Sequence, residues 1–103
     1  MKGDAFSTHE KSYLIQLIKA NAPAEFVFMT KILSWIESGT NRPKSLEASV
    51  SEEYDLKDTE ASMMRSGAVA RMIELGLILR EKSGREVTYY LTDLGEKVVN
   101  AEG

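Results

Sequence analysis

The chain has 103 residues, a net charge of −3 and no cysteine. This length fits one domain with a single core, and the lack of cysteine excludes disulfides, thiolate metal sites and cysteine nucleophiles. The lone histidine, His9, has too few companions for a zinc site, so we predict that it faces solvent on the first helix. No apolar run approaches the ~20 residues of a membrane span, and the first residues lack the apolar region of a signal peptide. We therefore predict a cytoplasmic protein with no membrane partner.

Apolar periodicity predicts a first helix over residues 8–20, capped by Ser7 or Thr8, and a second over residues 24–38, after Pro23. The second helix has the widest apolar face in the chain. A face this wide packs against two neighbours within one chain or against a second copy. We expect a homodimer that uses the first helix and a set of side chains on the second, namely Phe26, Phe28, Met29, Ile32 and Trp35.

Residues 44–75 predict a helix-turn-helix, with a shorter helix to about residue 53 and a longer one from residue 58. Asp58 is the expected N-cap of the longer helix. The negative charge of Glu60, in the first turn, interacts favourably with the helix dipole. Apolar residues three and four positions apart predict its buried stripe, which consists of Ala61, Met64, Ala68, Met72 and Leu75. Gly76 follows as the residue able to take the left-handed conformation that ends a helix.

After Gly76 the apolar period changes to two, which predicts a β-hairpin over residues 77–91. A turn at Ser83-Gly84 would place like charges opposite each other. A three-residue loop from Lys82 to Gly84 pairs opposite charges instead, so we predict that loop. The resulting register sets Glu81 opposite Arg85, Arg80 opposite Glu86, and Leu79 opposite Val87. A last helix over residues 92–101, capped by Thr92, completes the chain.

Residues 72–99, MIELGLILREKSGREVTYYLTDLGEKVV, resemble the second half of winged helix-turn-helix regulators of the multiple-antibiotic-resistance and PadR types. The resemblance rests on the Leu75-Gly76-Leu77-Ile78 helix exit, the Gly84-Arg85 wing tip, and Tyr90-Leu91-Thr92 followed by Gly95. It implies a mainly α fold with a small β-hairpin (α+β), a winged helix-turn-helix with an extra N-terminal helix, in a single domain over residues 1–103. In such proteins the second helix of the motif, here residues 58–75, enters the major groove, and the wing, here residues 80–87, contacts DNA.

The exposed face expected for the 58–75 helix has no Arg, Lys, Asn or Gln at its centre, so any base readout should be shallow. Acidic residues around the turn of the motif would repel phosphate. Basic residues nevertheless occur at the start of the motif and on the wing. The candidate DNA-contacting residues are Ser62, Met63, Arg65 and Ser66 on the helix, Lys82, Ser83 and Arg85 on the wing, and Arg42 and Lys44 at the start of the motif.

Two functions remain open at this stage. The first is a DNA-binding transcriptional regulator that binds double-stranded DNA. The alternative is a winged-helix module that binds another protein through the 24–38 helix or the acidic turn, because fold alone does not fix function. Neutral charge over residues 42–85, with eight Lys/Arg and eight Asp/Glu, permits either. We expect no enzyme activity and no cofactor, since the sequence has no phosphate-binding loop, ligand cluster or paired nucleophile and base.

Overall fold

The computed structural model describes residues 8–102, and the predicted cap at Ser7 lies outside them. In order, the elements are α1 (Thr8–Asn21), α2 (Pro23–Glu37), α3 (Pro43–Tyr54), α4 (Asp58–Glu74), β1 (Ile78–Ser83), β2 (Glu86–Leu91) and α5 (Asp93–Glu102). The two strands form an antiparallel hairpin. The mainly α architecture with a small β element, predicted from the periodicity, is therefore confirmed. None of the described helices has the length and apolar character that crossing a membrane requires.

The second helix lies at the centre of the core. Pro23 occupies its first turn, where a missing N–H costs nothing. Its apolar side chains pack inside the chain: the exposed fractions are 6% for Phe26, 8% for Phe28, 1% for Met29 and 0% for Ile32. The predicted dimer surface is therefore wrong for these four residues, because α1, α3, α4, α5 and the hairpin already cover this helix. Trp35 is half-buried against the same core.

The third and fourth helices follow each other in the chain and are joined by a short turn, in which Asp55 takes the left-handed conformation with φ 54°. The N-cap of α4 is Lys57 and not Asp58, which is the first helical residue. The Lys57 N–H donates to the Glu60 carboxylate at 3.2 Å, so Glu60 satisfies a backbone donor at the helix entrance as well as favouring the dipole.

The buried stripe of α4 differs from the prediction at two positions. Ala61, Met72 and Leu75 are buried as expected and Ala68 is half-buried against the core, but Met64 is 38% exposed, and Val69, which the prediction did not include, is buried. Gly76 has φ 76°, which confirms the left-handed stop predicted after this helix.

The hairpin has a two-residue turn, Gly84-Arg85, and the predicted three-residue loop is wrong. Ser83 stands opposite Glu86, Lys82 opposite Val87 and Arg80 opposite Tyr89. Gly84 has φ 62° at the first central position, which is the requirement of a type II′ turn. This turn follows the right-handed twist of the strands, a preference that outweighs the weak cross-strand charge pairs on which the predicted register rested.

Hydrogen bonds of Thr92 join the start of α5 to the residues that follow α4. Its hydroxyl accepts from the Gly95 N–H at 3.0 Å, which confirms the predicted cap, and the same hydroxyl donates to the carbonyl of Gly76. The Thr92 N–H donates to the Leu77 carbonyl at 3.0 Å. A β-carbon on Gly95 would lie 2.1 Å from that carbonyl oxygen, so the approach of α5 to the start of the hairpin requires glycine.

Candidate nucleic-acid interface

The start of α3 is held beside the second strand by one backbone hydrogen bond to β2 and by a side-chain cap at the helix entrance. The Tyr89 N–H donates to the Asn41 carbonyl at 2.8 Å, which fixes the loop before α3 along β2. Pro43 begins the helix, and the hydroxyl of Ser45 accepts from the Arg42 N–H at 3.2 Å. These contacts place Arg42 next to the tip of the hairpin, although more than forty residues separate the two in sequence.

A cleft of about 390 Å³ lies between the start of α3 and the hairpin tip. Three of the predicted DNA-contacting residues line it, and its complete lining is Arg42, Pro43, Lys44, Arg85, Glu86 and Val87. The structure therefore brings together two groups of basic residues that the sequence places far apart. Cations gathered around one surface cleft are suited to binding phosphate oxygens, because each added positive charge displaces counterions from the nucleic acid.

Acidic side chains partly neutralise this cleft. The Arg42 guanidinium lies 3.3 Å from the Glu86 carboxylate, and the two side chains are 56% and 64% exposed. Lys44 is 4.0 Å from Glu47, and the lysine side chain is 96% exposed. An ion pair exposed on both sides, such as Arg42–Glu86, contributes ~0–1 kcal/mol, so a phosphate can exchange for the Glu86 carboxylate at small cost.

The corrected hairpin register separates charges between the two faces of the strands. Opposite residues share a face, so Arg80 and Lys82 lie on the side of Val87 and the buried Tyr89. Glu81 lies on the other face, opposite Thr88. The predicted register would have paired Arg80 with Glu86, and this separation was therefore not foreseen. The missed signal was the Gly84-Arg85 turn, which sets which residues face each other.

The fourth helix presents Met63 and Ser66 to solvent on its outer side. Met63 is 75% exposed, and Ser62 is half-buried at the edge of this face. Arg65 differs from the other candidates because it is half-buried, and its Nε atom is enclosed with no hydrogen-bond partner among the described residues. Arg65 thus differs in burial from the three candidates at the hairpin tip, Lys82, Ser83 and Arg85, which are all exposed.

The far edge of α4 is occupied by an ion pair with α2. The Arg71 guanidinium lies 3.5 Å from the Glu25 carboxylate, beside a cleft of about 540 Å³ whose wall includes Phe28 and Tyr54. The rings of Phe28 and Tyr54 meet edge to face with their centroids 5.5 Å apart. Arg71 is thereby held away from the cleft at the start of α3, and we do not count it among the phosphate-binding candidates.

Within residues 8–102, no group of three or more His, Cys, Asp or Glu side chains is arranged to hold a metal ion. Comparison of the chain with protein-family models, with curated proteins and with solved structures yielded no match. The candidate interface therefore rests on the geometry and charge of the residues described above.

Proposed function

We propose that this chain is a small winged helix-turn-helix DNA-binding protein with an extra N-terminal helix, and that it acts as a transcriptional regulator. In this assignment α3 and α4 form the helix-turn-helix, the β1–β2 hairpin is the wing, and α4 lies in the major groove. The observation that carries the proposal is the cleft in which Arg42 and Lys44 from the helix-turn-helix meet Arg85 from the wing.

The order of the elements supports this assignment. Two helices joined by a short turn precede a hairpin, and a backbone hydrogen bond joins the segment before the first of them to β2. The outer side of α4 is uncovered, and Met63 on it is 75% exposed. Groove binding by a winged helix uses a helix with one free face and a basic hairpin tip, and the chain has both.

The chemistry of the interface favours phosphate contacts over base readout. Met63 and Ser66 provide apolar and hydroxyl groups, which contact thymine methyls and phosphates but form no bidentate pair with a base. The proposal therefore assigns Arg42, Lys44, Lys82, Ser83 and Arg85 to the DNA backbone. Ser62, Met63 and Ser66 face the major groove in this proposal, and Arg65 is half-buried between them on the same helix.

Fluorescence anisotropy with a pool of random duplex DNA at low and moderate salt tests the proposal. The wild-type protein should bind at low salt and weaken as salt rises. The variant Lys44→Gln/Arg85→Gln removes two cations from the cleft. It should reduce the steepness of the salt dependence by about 0.9 per lost phosphate contact while the circular dichroism spectrum stays the same.

A matched variant, Lys11→Gln/Lys97→Gln, removes the same charge on a different side of the molecule and should bind DNA as the wild type does. Equal losses of DNA affinity in the two variants would show that only net charge matters. The cleft could then no longer be assigned to phosphate binding. Absence of binding at low salt would leave the protein-binding module as the better hypothesis. The surface of such a module would have to exclude the apolar face of α2, which is buried.

A further inference from the structure

A second groove, of about 770 Å³, runs along the first strand on another side of the molecule. Its walls come from α1, the end of α4, β1 and the start of α5. The apolar part of the lining consists of Ile73, Ile78, Leu79 and Leu94, and the charged part of Lys11, Arg80, Asp93 and Lys97. Ile73 is 37% exposed and Leu79 is 60% exposed, so the apolar part is open to solvent.

The charges around this groove are unbalanced. Three cations face one carboxylate, that of Asp93, and within residues 8–102 none of the three cations forms an ion pair. The Lys11 side chain crosses Gly76, with its Cδ and Nζ atoms 2.9 Å from the place where a β-carbon of Gly76 would stand. Lys11 is half-buried, and its side chain therefore forms part of the wall of the groove. An anionic partner complements this set of charges.

The strand that borders the groove has a free edge in the described part of the chain. The sheet has the order β1-β2, so only one side of β1 is paired. An exposed strand edge offers a row of backbone donors and acceptors to an extended chain. Leu79 and Arg80 lie on this strand and line the groove, and so the backbone edge and the side-chain groove are parts of one surface.

A second copy of the chain fits this edge poorly. Antiparallel pairing of β1 with itself must be centred on a residue, and the registers that pair most of the strand are centred on Arg80 or Glu81. The first sets Arg80 opposite Arg80. The second sets Glu81 opposite Glu81 and Arg80 opposite Lys82. Like charges directly opposite each other are destabilising, so the strand resists self-association.

We propose that this groove binds an extended peptide segment in which acidic and apolar residues alternate, and that the segment adds to β1 as a third strand. Leu79 and Arg80 are neighbours in β1 and lie on opposite faces of the sheet. Alternate side chains of the added strand point to opposite sides in the same way, so the apolar set packs on the side of Leu79 and the acidic set on the side of Arg80. Lys11 and Lys97 are in the lining of the same groove. The site is separate from the cleft formed by Arg42, Lys44 and Arg85, and it does not depend on the DNA-binding proposal.

The probe is a fluorescein-labelled peptide in which glutamate and valine alternate, titrated with the full chain and followed by fluorescence anisotropy. We expect saturable binding that weakens about fivefold or more in Lys11→Gln/Lys97→Gln, through the loss of two ion pairs. Lys44→Gln/Arg85→Gln, which loses the same charge elsewhere, should bind the peptide as the wild type does. N-methylation of alternate peptide bonds should abolish binding, because it removes the donors that pair with β1.

Four results would overturn the proposal. They are no binding of the glutamate–valine peptide by the wild type, undiminished binding of the N-methylated peptide, equal weakening in the two variants, and loss of DNA affinity in Lys11→Gln/Lys97→Gln. The last result would assign the groove to phosphate. Because each variant pair is measured on both peptide and DNA, failure of the peptide site and failure of the DNA site give different patterns.

Discussion

The second and fourth helices contrast in how they use their apolar side chains. Ile32 and Leu33 of α2 are fully buried, whereas Met63 of α4 is 75% exposed on a side that no other described element covers. Both helices are central to the fold, but only α4 leaves a face available. The difference indicates that α2 is the scaffold and that α4 keeps one face available for a partner.

The largest expected effect is on the free energy of unfolding, when a buried side chain of α2 and an exposed one of α4 are each truncated to alanine. Leu33→Ala should lower the free energy of unfolding by ~2–5 kcal/mol, because it removes buried methyl groups and leaves a cavity. Met63→Ala should change it by less than ~0.5 kcal/mol, as expected for an exposed position. Urea unfolding followed by circular dichroism measures both. A large loss from Met63→Ala would mean that its side chain is covered in solution.

A smaller effect is expected from the acid beside the phosphate-binding cleft. Glu86→Gln frees the Arg42 guanidinium, now 3.3 Å from the carboxylate, and removes a negative charge from the interface. We expect roughly two- to fivefold tighter binding to duplex DNA at low salt. Glu37→Gln, at the exposed end of α2, removes the same charge and should leave the affinity unchanged. Equal gains in both variants would attribute the effect to net charge alone.

The smallest effect concerns Lys31, on the polar side of α2. Its ammonium lies 3.1 Å from the Glu53 carboxylate, and this hydrogen bond and charge raise its pKa above the ordinary value of 10.5. A raised folded-state pKa stabilises the protonated folded form, so the contribution is fully present below pH 10.5 and is lost as pH rises through the raised pKa.

The stability difference between the wild type and Lys31→Gln should therefore stay constant from neutral pH toward 10.5 and shrink above it. Urea unfolding of both proteins across this pH range measures the difference. Both groups are partly exposed, and the effect should be close to the limit of detection. A difference that grows with alkaline pH would contradict the assigned pair.

The sequence was sufficient for the elements whose signals are local. Apolar period, Pro23 and Gly76 located the helices to within a residue or two, and Thr92 was identified as the cap of α5. Each of these signals acts within one or two turns of the chain. The hairpin register depends on two local preferences that compete, the geometry of the turn and the cross-strand charge pairs. The charge pairs are worth only ~0.2–1 kcal/mol each, and the prediction based on them was wrong.

Contacts between distant segments account for the remaining differences. The apolar face of α2 is closed by helices and strands from both ends of the chain, and no periodicity within α2 reveals that closure. Arg65 lies near the edge of the predicted exposed face, and the packing around α4 decides that it is half-buried. The meeting of Arg42 and Arg85 depends on the Tyr89–Asn41 hydrogen bond, which joins residues almost fifty positions apart.

Backbone amide chemical shifts during titration with duplex DNA test the central claim most directly. We predict that the shift changes at low salt concentrate on the outer side of α4, on Arg42 and Lys44, and on residues 82–86 of the hairpin. The chemical shifts of the amides in the middle of α2 should not change. Shifts confined to α2, or to the groove beside β1, would contradict the account, as would a spectrum that DNA leaves unchanged.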